Sequence, residues 1–484
     1  MRAAILSGLL LCAHSRAGDD ADSGYRTLLE RLAGKWDVPC ATLTVVRGEA
    51  VSFFAKGTAR GGTPVDAGTL FGIGSVSKGL TATLVASYVA DGRIRWHDSV
   101  AHLGPDVVLG DENLARRTTL LDCLCHRTGI PSNDFLWYAD PGLDRRALIE
   151  DFARAAQGAR HGALSYNHMA YVLAAAGIER FTSKPWDREL TDRVLVPLGM
   201  SRTFVDPRAA LGPANGTDPH TLVGGQMRRV STQSPDALAP ALGMVSCSRD
   251  LTRWALWLMG RGGMVVGRLR ATTLLCSPER LGATDWLPTD VDEAEHGVGC
   301  YLDTYNGLSV AVFGDDGIGW TGLVGLIPDK NLAVVILSNV GSADFAWSLW
   351  YKVADTVVPD IGLGERADIL LEASITDRQA LAALEVDVGD TTEDAATPWG
   401  RYEGVYLCKG LPKLVLKANG NGLGLSIGEL RGQVRREGRR FSVKWEQDYV
   451  GRGMLRATVA GQGPAASVEL KTPEWPWFTF ERVK

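Results

Sequence analysis

The sequence predicts an α+β fold: one antiparallel sheet flanked by helices, an all-helical region inserted into the chain, and a small antiparallel β-barrel at the end. Three observations predict it. β-rich runs stand on both sides of a helical stretch, with ATLTVVRG at 41–48 and AVSFFAKG at 50–57 before it. After His296 come VGCYLDTY, LSVAVFG, WTGLVGLI and LAVVILSN, separated by short turns such as Tyr305-Asn-Gly307 and Pro328-Asp-Lys330. Beyond residue 400 the chain breaks into eight short strand-like runs, and closure into a barrel is the usual way to remove so many exposed edges.

The elements follow in order. Tyr25 to Lys35 carries Leu28, Leu29 and Leu32 at helical spacing, so it reads as an amphipathic helix ahead of the first strand pair. From Ser77 the run SKGLTATLVASYVADG is apolar on nearly every side, as a helix buried on several faces must be. Between about 100 and 290 the composition is helical and loop-rich, with turns at HRTGIPSND (126–134) and within VLVPLGMSRTF (194–204). DFAWSLWYKVADTVV at 344–358 reads as a helix closing this unit, so the first domain spans 21–387. VGDTTEDAATPWG at 388–400 is polar, acidic and closed by a proline, which marks a linker before a domain at 401–484.

Composition narrows the function. The chain of 484 residues is 45% hydrophobic and 22% charged, and no run approaches the roughly 18 apolar residues of a membrane span. A formal charge of -5 gives no basis for nucleic-acid binding, and the basic run RGQVRREGRR at 431–440 sits on alternating strand-like sequence. Eight cysteines include no C-x-x-C pair, so neither a metal site nor a redox motif is expected. Nothing implies a cofactor. Residues 1–20 combine one early arginine, a short apolar run and small residues, which fits a weak signal peptide or a helical leader equally and leaves the compartment open.

The chemistry concentrates at GIGSVSKGL (72–80), where Ser75 and Lys78 stand three residues apart at a helix start. That spacing puts both on one face, within reach of a nucleophile and base pair. A lysine takes a proton at neutral pH only when burial or a neighbouring cation lowers its pKa, and Leu80, Leu84 and Val85 supply apolar surroundings. The free N–H groups at a helix start can also hold an oxyanion. Alone, an S-x-x-K match is weak.

Companions in the right order strengthen it. TLFGIGSVSKGLTATLVASYVADGRIRWHDSV (69–100), TTLLDCLCHRTGIPSND (118–134), LSYNHMAYVLAAAGIER (164–180) and VLVPLGMSRTF together resemble the serine β-lactamase and penicillin-binding-protein-like superfamily. The branch indicated holds class C β-lactamases, D-aminopeptidases, family VIII carboxylesterases and related acyltransferases, and the resemblance covers roughly residues 25–360. It implies the β-lactamase/transpeptidase-like fold. It also implies that Tyr166 is the catalytic tyrosine, working with Lys78 to move the proton of Ser75.

Two positions depart from the family pattern. Its second motif, tyrosine-x-asparagine, reads Tyr166-Asn167-His168 here, so either His168 stands where an asparagine usually meets the substrate amide or that asparagine is displaced to Asn167. Either His168 lines the substrate site or it packs. The third motif, a lysine or histidine, a small residue and a glycine on a strand, aligns with Trp320-Thr321-Gly322. Indole is not a cation, which argues against a substrate carboxylate and hence against a β-lactamase or carboxypeptidase. On that alignment Trp320, Thr321 and Gly322 bind substrate, and the N–H of Leu323 pairs with that of Ser75 as the oxyanion hole.

The sequence therefore points to a cofactor-free serine acyl-enzyme catalyst, hydrolase or acyltransferase, acting on an ester, thioester or amide of a hydrophobic or bulky acyl compound or peptide. A D-amino-acid-specific peptidase or peptide cyclase of the same fold and an inactive binding protein are the alternatives, and a homo-oligomer is compatible with either. The terminal domain resembles the lipocalin-like barrel appended to some superfamily members, with Trp475, Trp477 and Phe478 either inside it or on a contact face.

Overall fold

The computed structural model describes residues 19–103, 112–130, 143–155, 161–223, 226–230, 236–260, 295–317, 319–359, 362–386, 399–408, 413–419, 422–428, 430–437, 440–445, 453–459, 464–471 and 478–483. Helix α1 (Asp19–Lys35) precedes the strand pair β1 (Ala41–Arg47) and β2 (Ala50–Lys56). A two-residue strand, β3 (Phe71–Gly72), leads into helix α2 (Val76–Ala90). The inserted region contains α3 (Leu120–Leu124) and α4 (His168–Thr182), then strands β4 (His220–Val223), β5 (Gln226–Arg229) and β6 (Val245–Ser246), and helix α5 (Ser248–Leu258). The chain returns through β7 (Glu295–His296), β8 (Tyr301–Tyr305), β9 (Leu308–Gly317), β10 (Trp320–Ile327) and β11 (Leu332–Ser338) to helices α6 (Ala343–Asp355) and α7 (Leu363–Val386).

These strands make one seven-stranded antiparallel sheet in the order β2-β1-β11-β10-β9-β8-β7, so the N-terminal pair lies directly against the last strand. Strand β11 shows why. Leu332, Val334 and Ile336 enter one core, with Trp36, Phe345 and Trp350 of the surrounding helices. Ala333, Val335 and Leu337 enter the other, with Leu80, Leu84 and Trp254. Side chains alternate across a strand, so only an unbroken apolar run can feed two cores at once. Helix α2 lies in the second core and is buried continuously from Val76 to Ala86, which accounts for its apolar character all round.

Two expectations are corrected. The inserted region is not all-helical: β3 pairs with β6, and β4 pairs with β5. Strands of two to four residues carry too little alternation to read from sequence. Helix α7 also continues the unit past 358, where no helix was expected. The expected linker at 388–400 lies almost wholly outside the described residues, apart from a 3-10 turn at Trp399–Arg401.

All eight C-terminal runs are strands, β12 (Gly404–Leu407), β13 (Leu414–Asn419), β14 (Gly422–Ile427), β15 (Leu430–Glu437), β16 (Arg440–Trp445), β17 (Gly453–Val459), β18 (Ala465–Lys471) and β19 (Phe478–Arg482). Each pairs antiparallel with the next, and the sheet curls until its edge strands meet over two residue pairs, Tyr406↔Arg482 and Leu407↔Glu481. Inward residues such as Leu416, Leu425, Val434 and Val443 form a third core. Trp475 and Trp477 lie outside the described residues.

Candidate active site

Ser75 sits at the turn where β3 becomes α2. Its backbone is already helical, and the first turn is fastened by hydrogen bonds from Val76 N to Ile73 O, Ser77 N to Gly74 O and Lys78 N to Ser75 O. The N–H of Ser75 itself has no acceptor among the described residues, which leaves it available to an oxyanion. One turn on, Lys78 Nζ donates to Ser75 Oγ at 2.9 Å, as the i, i+3 spacing allows. Ser77 faces away and accepts a hydrogen bond from Met244 N.

Lys78 is only 2% exposed. Its ammonium also donates to Ala241 O at 3.1 Å and reaches Nδ1 of His168 at 2.9 Å, and it lies 4.8 Å from the ring centre of Tyr166. The three polar atoms around its nitrogen are thus a hydroxyl, an imidazole nitrogen and a carbonyl oxygen.

Tyr166 reaches the same point from the insert. Its hydroxyl is 2.8 Å from Ser75 Oγ. The ring is held by stacking on His126, with centroids 4.3 Å apart and planes 32° from parallel. His126 follows α3 and accepts from Asn167 N at Nδ1, so its proton rides on Nε2. Asn167 is the N-cap of α4: its side chain accepts from Met169 N and donates to Ile130 O. It is therefore committed to structure, and the displaced asparagine of the second motif does not face a substrate.

Behind Tyr166, His296 packs edge-on to His126 at 4.5 Å and tilted against Tyr301 at 4.7 Å. Burial pushes the His296 imidazole down to about 3 and holds His126 well below its usual range, with the neighbouring His296, Lys78 and His168 adding to the latter. Both are neutral at physiological pH. In the sequence, His126 stands only within a turn motif and His296 only where the strand-rich part begins. The first had a signal in its H-R-T-G-I-P context, and the second had none beyond a lone histidine before a strand.

The third motif is corrected. Trp320 is 5% exposed, its indole N–H donates to Thr217 Oγ1 at 2.9 Å, and its ring covers Gly72, where a Cβ would lie 2.6 Å from it. Thr321 is fully buried, donating to Val340 O and accepting from Ser342 N. Gly322 does admit a close approach, but to Ile73 of the turn that carries Ser75, whose carbonyl oxygen would be 2.7 Å from a Cβ. Leu323 lies in an interior strand, paired with Gly314 on one side and Ile336 on the other, so its N–H belongs to the sheet and not to an oxyanion hole.

The strand beside Ser75 is β9. Its end, 313–317, runs past the last residue of β8 that it pairs with, leaving that side unpaired among the described strands. A Cβ on Gly317 would lie 3.1 Å from Gly74 Cα. The stretch FGDDG at 313–317 again carries no cation.

Among the described residues no group of three or more His, Cys, Asp or Glu is arranged to hold a metal ion, and no helix is long and apolar enough to cross a membrane.

With this geometry in place, comparisons with known proteins agree on the ancestry. The Unguisins hydrolase ungD' of Aspergillus campestris (strain IBT 28561) is 24% identical over 417 residues, 81% of this chain and 76% of that protein. Two solved structures share the fold. The octameric penicillin-binding protein homologue from Pyrococcus abyssi superposes with a TM-score of 0.58 at 16% identity, over 95% of this chain and 99% of that one. A D-stereospecific amidohydrolase from Streptomyces sp. superposes with a TM-score of 0.56 at 21% identity, over 70% of this chain and 98% of that one. The family model described as Beta-lactamase matches residues 26–357, well over half the sequence, and the chain belongs to that family of serine hydrolases.

Proposed function

We propose that the protein is a serine acyl-enzyme hydrolase that cleaves an amide, ester or thioester bond, with Ser75 as nucleophile and Lys78 and Tyr166 as the proton-transfer pair. One observation carries this reading: Ser75 Oγ lies within hydrogen-bonding distance of both Lys78 Nζ and Tyr166 Oη, while the Ser75 N–H is open. Oγ attacks the carbonyl carbon, and its proton passes through Tyr166 and Lys78 to the leaving amine, alcohol or thiol as the scissile bond breaks. Water then adds to the acyl-serine, releasing the acid and returning the proton to Ser75. An acceptor amine in place of water gives acyl transfer by the same steps.

The relatives tilt the substrate toward amides, since one is named a hydrolase of unguisins and another is a D-stereospecific amidohydrolase. Neither Trp320-Thr321-Gly322 nor FGDDG at 313–317 carries a lysine or histidine, which speaks against a substrate recognised by its carboxylate at that strand. This holds although the residue first assigned to that place, Trp320, is spoken for by Thr217.

Intact-mass measurement after incubation with a p-nitrophenyl acyl ester and with an activated phosphonate tests the reading. A mass increase in the wild type that is absent from Ser75→Ala is expected. No adduct and no turnover would remove it.

In the same reading, 21–387 is the catalytic unit and 401–484 a lipocalin-like module. A homo-oligomer is in keeping with the octameric relative, and light scattering measures it directly.

A further inference from the structure

We propose that His168 is the positioning residue for Lys78, and that uptake of a second proton by the Lys78–His168 pair sets the acid limit of acylation. The inference rests on the assignment of Ser75 and Lys78 above.

A lysine ammonium can only donate, so the 2.9 Å contact makes His168 the acceptor at Nδ1 and leaves its proton on Nε2. Lys78 then sends its hydrogens to Ser75 Oγ, His168 Nδ1 and Ala241 O. If Lys78 gives up one proton, the remaining two serve His168 and Ala241, and the lone pair is directed at the hydroxyl of Ser75. His168 thus selects which way the free base points. Its ring is fixed in turn by its place at the first position of α4 and by an edge-on contact with Tyr166, centroids 5.5 Å apart.

Two cations cannot share a 2.9 Å contact, so the pair holds at most one added proton while it works. A second proton converts Nδ1 from acceptor to donor and expels the ring or the ammonium. An asparagine, the family's residue at this place, has no such transition.

Among the described residues, the ionisable groups placed against His168 leave the readout clear. Lys78 approaches from α2, Tyr166 from the same segment and His126 from the turn after α3, with His296 behind it. The turn at Ala239–Gly243 packs on α4 with the sequence APALG and brings no ionisable side chain. Burial keeps His126 and His296 neutral through the mildly acidic range.

The experiment measures the acylation rate with p-nitrophenyl butyrate from about pH 4.5 to 9, spanning the range in which imidazoles change charge, for wild type, His168→Asn and His168→Phe. The wild type is expected to lose at least about tenfold on the acid side. His168→Asn should acylate more slowly but lose that acid limb, because its amide oxygen accepts from Lys78 and does not titrate. His168→Phe should be slower by about 100-fold at every pH. An unchanged acid limb in His168→Asn would overturn the proposal.

A second readout needs no turnover. In Ser75→Ala protein with 13Cε-labelled lysine, the Lys78 resonance, identified by its loss in Lys78→Met, should show an inflection in the acid range where imidazoles titrate in the histidine form and none in that range in His168→Asn. Absence of the inflection overturns the proposal. Failure of the wild type to acylate at any pH would instead remove the hydrolase reading.

Discussion

The hydroxyl of Tyr166 stands 2.8 Å from Ser75 Oγ, although 91 residues separate the two in the chain. The inserted region brings this phenol to the start of α2. Tyr166→Phe keeps the ring that stacks on His126 and removes only the oxygen. Acylation should fall by about 10² to 10⁴, the usual worth of a positioned acid–base group, while stability moves by no more than about 1.5 kcal/mol. Single-turnover acylation beside urea denaturation checks both, and near-native acylation would exclude Tyr166 from the proton path.

Trp320 offers a contrast, because its indole N–H is bound to Thr217 and its ring lies on Gly72. Thr217→Val should leave a buried N–H unpaired and cost about 1–3 kcal/mol, and Trp320→Ala should cost about 3–5 kcal/mol through the cavity it opens. Neither should alter the ratio of kcat/KM between short and long acyl esters. A changed preference at unchanged stability would place the indole against the substrate after all.

The difference between these two residues shows what the sequence could and could not convey. Ser75, Lys78 and Tyr166 were legible because local spacing on one helix and an ordered set of companion motifs survive without coordinates. The sheet was legible too, since β11 is an unbroken apolar run from Leu332 to Leu337 feeding two cores, and β1 and β10 are rich in apolar and β-branched residues. The third motif was not. W-T-G resembles it in letters, but strand order decides which strand borders the nucleophile. Antiparallel pairing places Trp320–Leu323 inside the sheet and the end of β9 beside Gly74. His168 was found as a departure, yet its partner, Lys78, could be known only from the path of α4. The pairings of β3 with β6 and β4 with β5 were too short to leave any periodicity.

Gly322 supports the nucleophile turn from beneath. A Cβ there would meet Ile73 O at 2.7 Å and its Cα at 3.1 Å, both backbone atoms that cannot rotate aside. Gly322→Ala must move either β10 or the turn that carries Ser75. We expect a loss of about 1–3 kcal/mol in stability together with slower acylation, since both follow from one displacement. Denaturation and single-turnover measurements on the same preparation check this. Wild-type behaviour in both would mean that the turn yields freely.

His296 and His126 predict how the fold responds to acid. Burial pushes His296 down to about 3 from an ordinary 6.5, and His126 shifts in the same direction. Below 6.5 the unfolded chain binds protons at these positions and the folded chain does not. Unfolding therefore takes up protons, and stability falls as the pH drops from 6.5 toward 3. His296 adds a slope of about 1.4 kcal/mol per pH unit within that window, and His126 acts in the same direction. His296→Phe keeps an aromatic ring of similar size against His126 and Tyr301 but cannot be protonated. Its stability should depend less steeply on pH than that of the wild type, by about that slope between roughly pH 6 and 4, with the two nearest each other near neutrality. Urea midpoints at pH 7.5, 6, 5 and 4 measure it. Parallel curves for the two proteins would show that His296 takes up its proton without unfolding.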